Sequence, residues 1–365
     1  MRPRRQFLGA ALGAAGLWLV PRRAVAQSPL PPLPRVNGGI NVQPARLLDG
    51  SPDAPGIDPQ VVDAQLATIY GLGFEQVRVT VSWDRFGGDF FAAIPYVRAC
   101  RALGIDVLAV LSQFAGFDFA QALSQPAVRN PLLRACATIF ASPVAPAPGV
   151  ERAGAIAFQV LNEPVNSLGI APGVYLSRLL TPAYRVLKEA APDVPVIAAA
   201  EVGTPQGVLR LRALFAAALE ASCDGVAYHV YDERVIPMLA GLARKPVRVT
   251  ESGADGTARH RDWVERVFPE IARSIPGVEE IHYFVLFDAH PGRHRLVDMA
   301  RQADGSLAVV PESTDLVELY AARVAAAAQD LPRASYRELV PDLAIYLPTA
   351  EDVALTESVP PLVFP

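Results

Sequence analysis

The stretch DPQVVDAQLATIYGLGFEQVRVTVS, residues 58–82, holds one full period of the fold. Asp58 can cap a helix and Pro59 suits its first turn. Val62, Leu66, Ile69 and Tyr70 then share one face, and Gly71 or Gly73 can end the element. Beyond the glycines the period changes to two: Val77, Val79 and Val81 point one way, and Arg78, Thr80 and Ser82 point the other. A helix leading directly into a short strand is the building unit of a parallel sheet.

The unit recurs. Short β-branched runs fall at 36–42, 76–81, 106–111, 155–161, 194–199, 225–230, 247–250 and 281–287, which makes eight strands. Helical stripes lie between them, as at Leu176, Leu179, Leu180, Ala183 and Leu187, and at Val208, Leu211, Phe215 and Leu219. A last helix is expected over 315–328, with Ser313 and Thr314 as caps. Eight strict alternations predict a (β/α)8 TIM barrel over 35–330. An open doubly wound sheet is disfavoured, because no Gly-x-Gly-x-x-Gly follows the first strand. Residues 331–365 break the pattern, and their alternating, Pro-rich sequence around Asp342–Leu347 predicts a short C-terminal β-like appendage.

Composition agrees with a packed chain. Of 365 residues 51% are hydrophobic and only 19% charged, so neither disorder nor a broad ionic surface is expected. A net charge of −4 argues against nucleic acid as a partner. Residues 1–26 read as an export signal: Arg4-Arg5-Gln6-Phe7-Leu8, an apolar run to Val20, then Ala24-Val25-Ala26 before cleavage. The arginine pair followed by Phe-Leu resembles a twin-arginine signal, which implies a periplasmic or extracellular protein. That apolar run is too short to span a bilayer, and no later stretch offers a stable membrane span. Cys100, Cys136 and Cys223 have no metal-ligand spacing; buried free thiols are the favoured reading, with one disulfide plus a spare thiol as the alternative.

In a barrel of this kind functional side chains stand at the carboxyl ends of strands. Strand four ends Gln159-Val160-Leu161-Asn162-Glu163-Pro164 and strand seven runs into Glu251, so each delivers a carboxylate. Strand six places Gly225, Ala227, His229 and Tyr231 on one face, small residues at the bottom and polar ones at the top. Arg78 points into the barrel, where an unpaired guanidinium is costly, so it requires a carboxylate partner, Glu251 or Glu163. Glu201, at the end of strand five, is a further carboxylate at the crown and a rival to Glu163.

Asn162-Glu163-Pro164 after strand four and Glu251 after strand seven resemble clan A glycoside hydrolases, the retaining β-glycosidases built on this barrel, and Arg78, His229 and Tyr231 strengthen the likeness. The phrase Gln76-Val77-Arg78 leading to Trp83 is most similar to family 39, with family 5 close behind. The resemblance implies Glu163 as acid/base and Glu251 as nucleophile acting on a β-linked carbohydrate. It also implies Asn162 on the sugar 2-OH, Tyr231 donating to Glu251, His229 beside the nucleophile or the sugar, and Trp83, Phe114 and Phe117 against the ring. Like charges that close resist joint ionisation, so the carboxyl further from Arg78 is expected to keep its proton. Clan members commonly carry a tryptophan at the end of strand eight; here Phe287 is the substitute, with Asp288 and His290 following.

No metal or organic cofactor is expected, since the five histidines include no His-Glu-x-x-His and Gly87-Gly88 is no phosphate cradle. His290 and His294 are four apart but lie in a loop. The expected product of the gene is a monomer. A catalytically silent carbohydrate-binding barrel and a transglycosylase are the alternatives.

Overall fold

The computed structural model describes residues 37–42, 59–81, 88–112, 119–254, 257–284, 297–301, 307–311 and 335–360. Eight strands close a parallel barrel in sequence order. They are β1 (Asn37–Val42), β2 (Gln76–Val81), β3 (Asp106–Leu111), β4 (Ile156–Val160), β5 (Val196–Ala198), β6 (Gly225–Val230), β7 (Val247–Ser252) and β8 (Val278–Tyr283). Closure is made by β1, which pairs with both β2 and β8. The expected barrel is therefore present.

Strand alternation sorts the side chains as the pleat requires. Val77, Val79 and Val81 are fully buried under the helical shell, where β2 packs against α2 (Gly88–Ala102), itself beside α1 (Pro59–Leu72). Inside the barrel, Leu108, Ala157, Ile197 and Ala227 come from β3 to β6 and form a separate apolar cluster with Ala200. Their chain neighbours, such as Val107, Phe158, Val196 and Val226, belong to the outer core instead. The opposite half of the barrel is polar: Arg78, Arg248, Glu280 and His282 project inward from β2, β7 and β8.

That polarity explains the largest shift between expectation and structure. β8 starts at Val278 and ends at Tyr283, not 281–287. Glu280, which the expected strand leaves out, is buried. It is paired with Arg248 at 3.0 Å on the adjoining strand and with His282 at 3.0 Å. A buried carboxylate is tolerable only with such partners. His282 in turn fits because Gly39, its register partner on β1, has no side chain; a Cβ there would lie 2.4 Å from His282 Nδ1.

The C-terminal extension is not β-like. Its described part is helical, with α-helices Tyr336–Leu339 and Ala350–Glu357 and a 3-10 turn Leu343–Tyr346 between them. Capping decides this: Ser335 with Glu338 and Thr349 with Asp352 form reciprocal capping boxes, and Asp342 accepts from the Ala344 N–H. Arg98 of α2 makes a two-pronged ion pair with Asp352, at 2.7 and 2.9 Å, and Tyr336 donates to Asp63 of α1 at 3.0 Å. These contacts fasten the extension to the barrel's helices. An antiparallel hairpin, Val297–Arg301 with Leu307–Pro311, was also not foreseen. All three cysteines are buried and free.

Among the described residues no helix is long and apolar enough to cross a membrane. The signal segment 1–26, the helix expected over 315–328, and Trp83, Phe114, Phe117, Phe287, Asp288, His290 and His294 lie outside the described residues.

Candidate active site

The chain leaves β4 through an uncommon backbone path. Leu161 and Glu163 both adopt left-handed conformations, with φ of 65° and 46°. Such positions cost roughly 1–3 kcal/mol each for residues with a Cβ and persist only where surroundings over-determine them. Here the Leu161 N–H bonds the Leu111 carbonyl at 2.9 Å and the Glu163 N–H bonds the Ala200 carbonyl at 3.1 Å, so both neighbouring strands hold the turn. Tyr175, in a π-helical turn Tyr175–Leu180, adds a stitch below it: its hydroxyl donates to the Val160 carbonyl at 2.9 Å and accepts from the Ala199 N–H at 3.0 Å.

The turn aims Glu163 across the crown. Its Oε1 lies 2.9 Å from His229 Nδ1, and its Oε2 accepts from Ser167 at 2.6 Å and from Asn166 at 3.4 Å. Burial pushes the Glu163 carboxyl up, but the hydrogen bond and charge of His229, with the bonds from Ser167 and Asn166, outweigh it and hold the group at about 2. The carboxyl expected to keep its proton is thus the one drawn below its ordinary value. Distance from Arg78 is not what governs it, because an imidazole faces it directly.

Glu251 is held more rigidly. Its Oε1 accepts from Arg78 Nη1 at 2.8 Å and from Asn162 Nδ2 at 3.3 Å, and its Oε2 accepts from the Tyr231 hydroxyl at 2.8 Å. Burial and the charge of Glu251 hold the Tyr231 phenol well above its usual value, so it stays a donor. Of the two partners foreseen for Arg78, Glu251 is the one found, and the other guanidinium nitrogen donates to Asn162 Oδ1 at 2.8 Å. Register shifts in β7, against β6 at Tyr228/His229 and against β8 between Val249 and Ser252, bracket Glu251. Bulges of this kind re-aim side chains at barrel rims.

His229 spans the pair. Its Nδ1 bonds Glu163 and its Nε2 lies 3.6 Å from Glu251 Oε1. One ligand atom from each of Glu163, His229 and Glu251 lies within 4.8 Å of the others. A divalent cation could be chelated at that spacing. The donor set argues otherwise, because Arg78 already sits on the Glu251 oxygen that faces His229, and a second cation there would meet its charge.

Glu201, the other carboxylate at the crown, is held by backbone. It is buried, and its two oxygens accept from the backbone N–H groups of Val165 and Asn166 at 2.8 and 2.9 Å, so it anchors the loop that follows Glu163. Burial raises its carboxyl despite those bonds. Asn41, Gln159, Asn166, Ser167 and Tyr175 also serve the site and went unnoticed in the sequence. Gln159 donates to Asn162 Oδ1 at 3.3 Å, and simple alternation with Ala157 would have placed it inside. Phe284, just past β8, packs edge-on against Tyr231 at 6.3 Å.

No protein-family model and no curated protein matches the chain. Solved structures do. The AHE enzyme of Alicyclobacillus herbarius superposes with a TM-score of 0.60 at 10% identity, covering 84% of this chain and 100% of that one. The endo-1,4-beta-mannanase of Rhizomucor miehei gives 0.54 at 14% identity, covering 81% and 96%. A GH5_18 protein of Streptomyces cattleya, in complex with GlcNAc, gives 0.53 at 17% identity, covering 82% of each chain. These likenesses establish the barrel fold.

Proposed function

We propose that this chain is an exported glycoside hydrolase that cleaves β-linked carbohydrate with retention, using Glu251 as nucleophile and Glu163 as acid/base. One observation carries the reading: oxygens of the two glutamates stand within 4.8 Å, bridged by His229, while only Glu251 is clamped by Arg78 and Tyr231. Retaining enzymes need carboxyls about 5–5.5 Å apart, whereas inverting ones leave room for water at roughly 6.5–9.5 Å. Two of the structural neighbours, the endo-1,4-beta-mannanase and the GH5_18 protein in complex with GlcNAc, support the same substrate class.

In the first step a Glu251 oxygen bonds the anomeric carbon as the glycosidic C–O bond breaks, and Glu163 gives its proton to the departing oxygen. Glu163 must therefore gain a proton on substrate binding. Desolvation is the largest influence on it and acts upward, so excluding water with a sugar ring favours the protonated Glu163 carboxyl. In the second step Glu163 takes a proton from water, which attacks the same carbon and releases Glu251. Asn162, 3.3 Å from Glu251 Oε1, would meet the 2-OH. Residues 1–26 would direct export by the twin-arginine route, leaving a periplasmic or extracellular monomer without cofactor.

The test is hydrolysis of a panel of aryl β-glycosides by the wild type, Glu251→Ala and Glu163→Ala. Both variants should lose at least about 10³-fold, as groups acting as a unit do. Azide should then yield the α-glycosyl azide from Glu251→Ala and the β-glycosyl azide from Glu163→Ala. No hydrolysis of any β-linked glycoside by the wild type would reject the proposal, and with sugar binding intact would favour the silent binding barrel.

A further inference from the structure

Asn41 lies on β1, buried, and its side chain joins three other strands. Its Nδ2 donates to the Thr250 carbonyl on β7 at 3.0 Å and to the Tyr283 carbonyl on β8 at 3.1 Å. Its Oδ1 accepts from Arg78 Nη1 on β2 at 2.7 Å. Thr250 lies inside the stretch where the β7–β8 register slips between Val249 and Ser252, and Tyr283 is the partner of Ser252 at its end. Thr250 immediately precedes Glu251, and the Arg78 nitrogen that Asn41 receives is the same one that donates to Glu251 Oε1 at 2.8 Å.

We propose that Asn41 is a positioning residue for Glu251: one primary amide fixes the backbone behind the carboxylate and the guanidinium in front of it. The proposal rests on reading Glu251 as the nucleophile. Only an amide suits the place, because the site asks for two donors toward carbonyls and one acceptor toward a cation. A carboxylate would face both carbonyl oxygens, and an aliphatic side chain would take a donor from each carbonyl and one of its acceptors from Arg78 Nη1. Asn41 touches no reacting atom. Its influence passes through geometry, and a misplacement near 1 Å at a reacting group costs on the order of 10²-fold.

The experiment is a double-mutant cycle in the full chain with Asn41→Ala and Arg78→Ala, scored on the best substrate of the glycoside panel. Asn41→Ala should lower kcat by about 10- to 100-fold with KM within about threefold, and the loss should be clearly smaller once Arg78 is gone, when only the backbone contacts remain to be lost. An equal loss in both backgrounds overturns the proposal. Should Asn41→Ala not fold, Asn41→Asp, which keeps the size and the acceptor, carries the same cycle. A crystal structure of the folded variant reads the point without any activity: Arg78 Nη1 should withdraw beyond about 3.5 Å from Glu251 Oε1. Retention of the wild-type contact overturns the proposal. A wild type inactive on every glycoside rejects the glycosidase reading alone, and the structural arm still decides Asn41.

Discussion

His229 Nδ1 stands 2.9 Å from Glu163 Oε1, and that contact sets the charge of the candidate acid.

The sign of the resulting pH effect is fixed. Glu163 is held at about 2, below its ordinary 4.5, against a burial effect that acts upward. A depressed carboxyl contributes stability that is complete above the ordinary value and is lost as pH falls from about 4.5 toward about 2. His229→Asn removes the strongest opposing influence, so burial gains ground and Glu163 should titrate higher. Carbon-13 NMR of the Glu163 carboxyl measures both midpoints, and identical values in wild type and variant would contradict the account.

Glu201 and Glu163 are both crown carboxylates, but they should respond differently to the amide. Glu163→Gln cannot transfer a proton, and its loss should grow as the leaving group worsens. Glu201→Gln keeps one acceptor for the Val165 and Asn166 N–H groups and turns an NH2 toward the other. The expected cost is about 1–3 kcal/mol of stability, with activity on good leaving groups kept within about tenfold. Thermal unfolding beside rates on a leaving-group series separates the two roles. A Glu201→Gln variant as dead as Glu163→Gln would return Glu201 to the chemistry.

The barrel was legible because its signal is local and repeated. The ends of β2, β3 and β6 fall where the two-residue period stops, and Arg78 announces a partner by being a lone cation on an inward face. β8 was misplaced because Glu280 and His282 are tolerated inside only through Arg248, thirty-odd residues upstream on another strand. Asn41 escaped notice for the same reason: its three partners lie on β2, β7 and β8. Polarity inside a barrel is settled by neighbours in space, which spacing along one chain does not display. The C-terminal extension erred in the opposite direction, since Ser335–Glu338 and Thr349–Asp352 are local capping signals that outweigh the alternation around Asp342.

The thiols should be chemically silent in the folded protein. Burial pushes Cys100 and Cys223 up to about 12 and raises Cys136 as well. Thiolate is the reactive form, so an aromatic disulfide reagent at neutral pH should label none of the three within minutes in native buffer. In denaturant all three should react. Labelling of Cys100, Cys136 or Cys223 before unfolding would show that the shell opens around it.

Gly39 and His282 give the most local test of the polar half of the barrel. They are register partners on β1 and β8, and a Cβ at Gly39 would fall 2.4 Å from His282 Nδ1 and 2.5 Å from its Cε1. The ring has little freedom to retreat, because its Nε2 is tied to Glu280 at 3.0 Å and Glu280 is in turn tied to Arg248 at 3.0 Å. Gly39→Ala should therefore destabilise by about 1–3 kcal/mol, the range of overpacking in a rigid interior. His282→Ala alone should also cost stability, by leaving a cavity and one fewer bond on Glu280. If the steric reading is right, the two changes compensate: the double variant should be clearly more stable than the sum of its single losses. Urea unfolding of the four proteins measures the coupling, and strict additivity would show that Gly39 is not making room for His282.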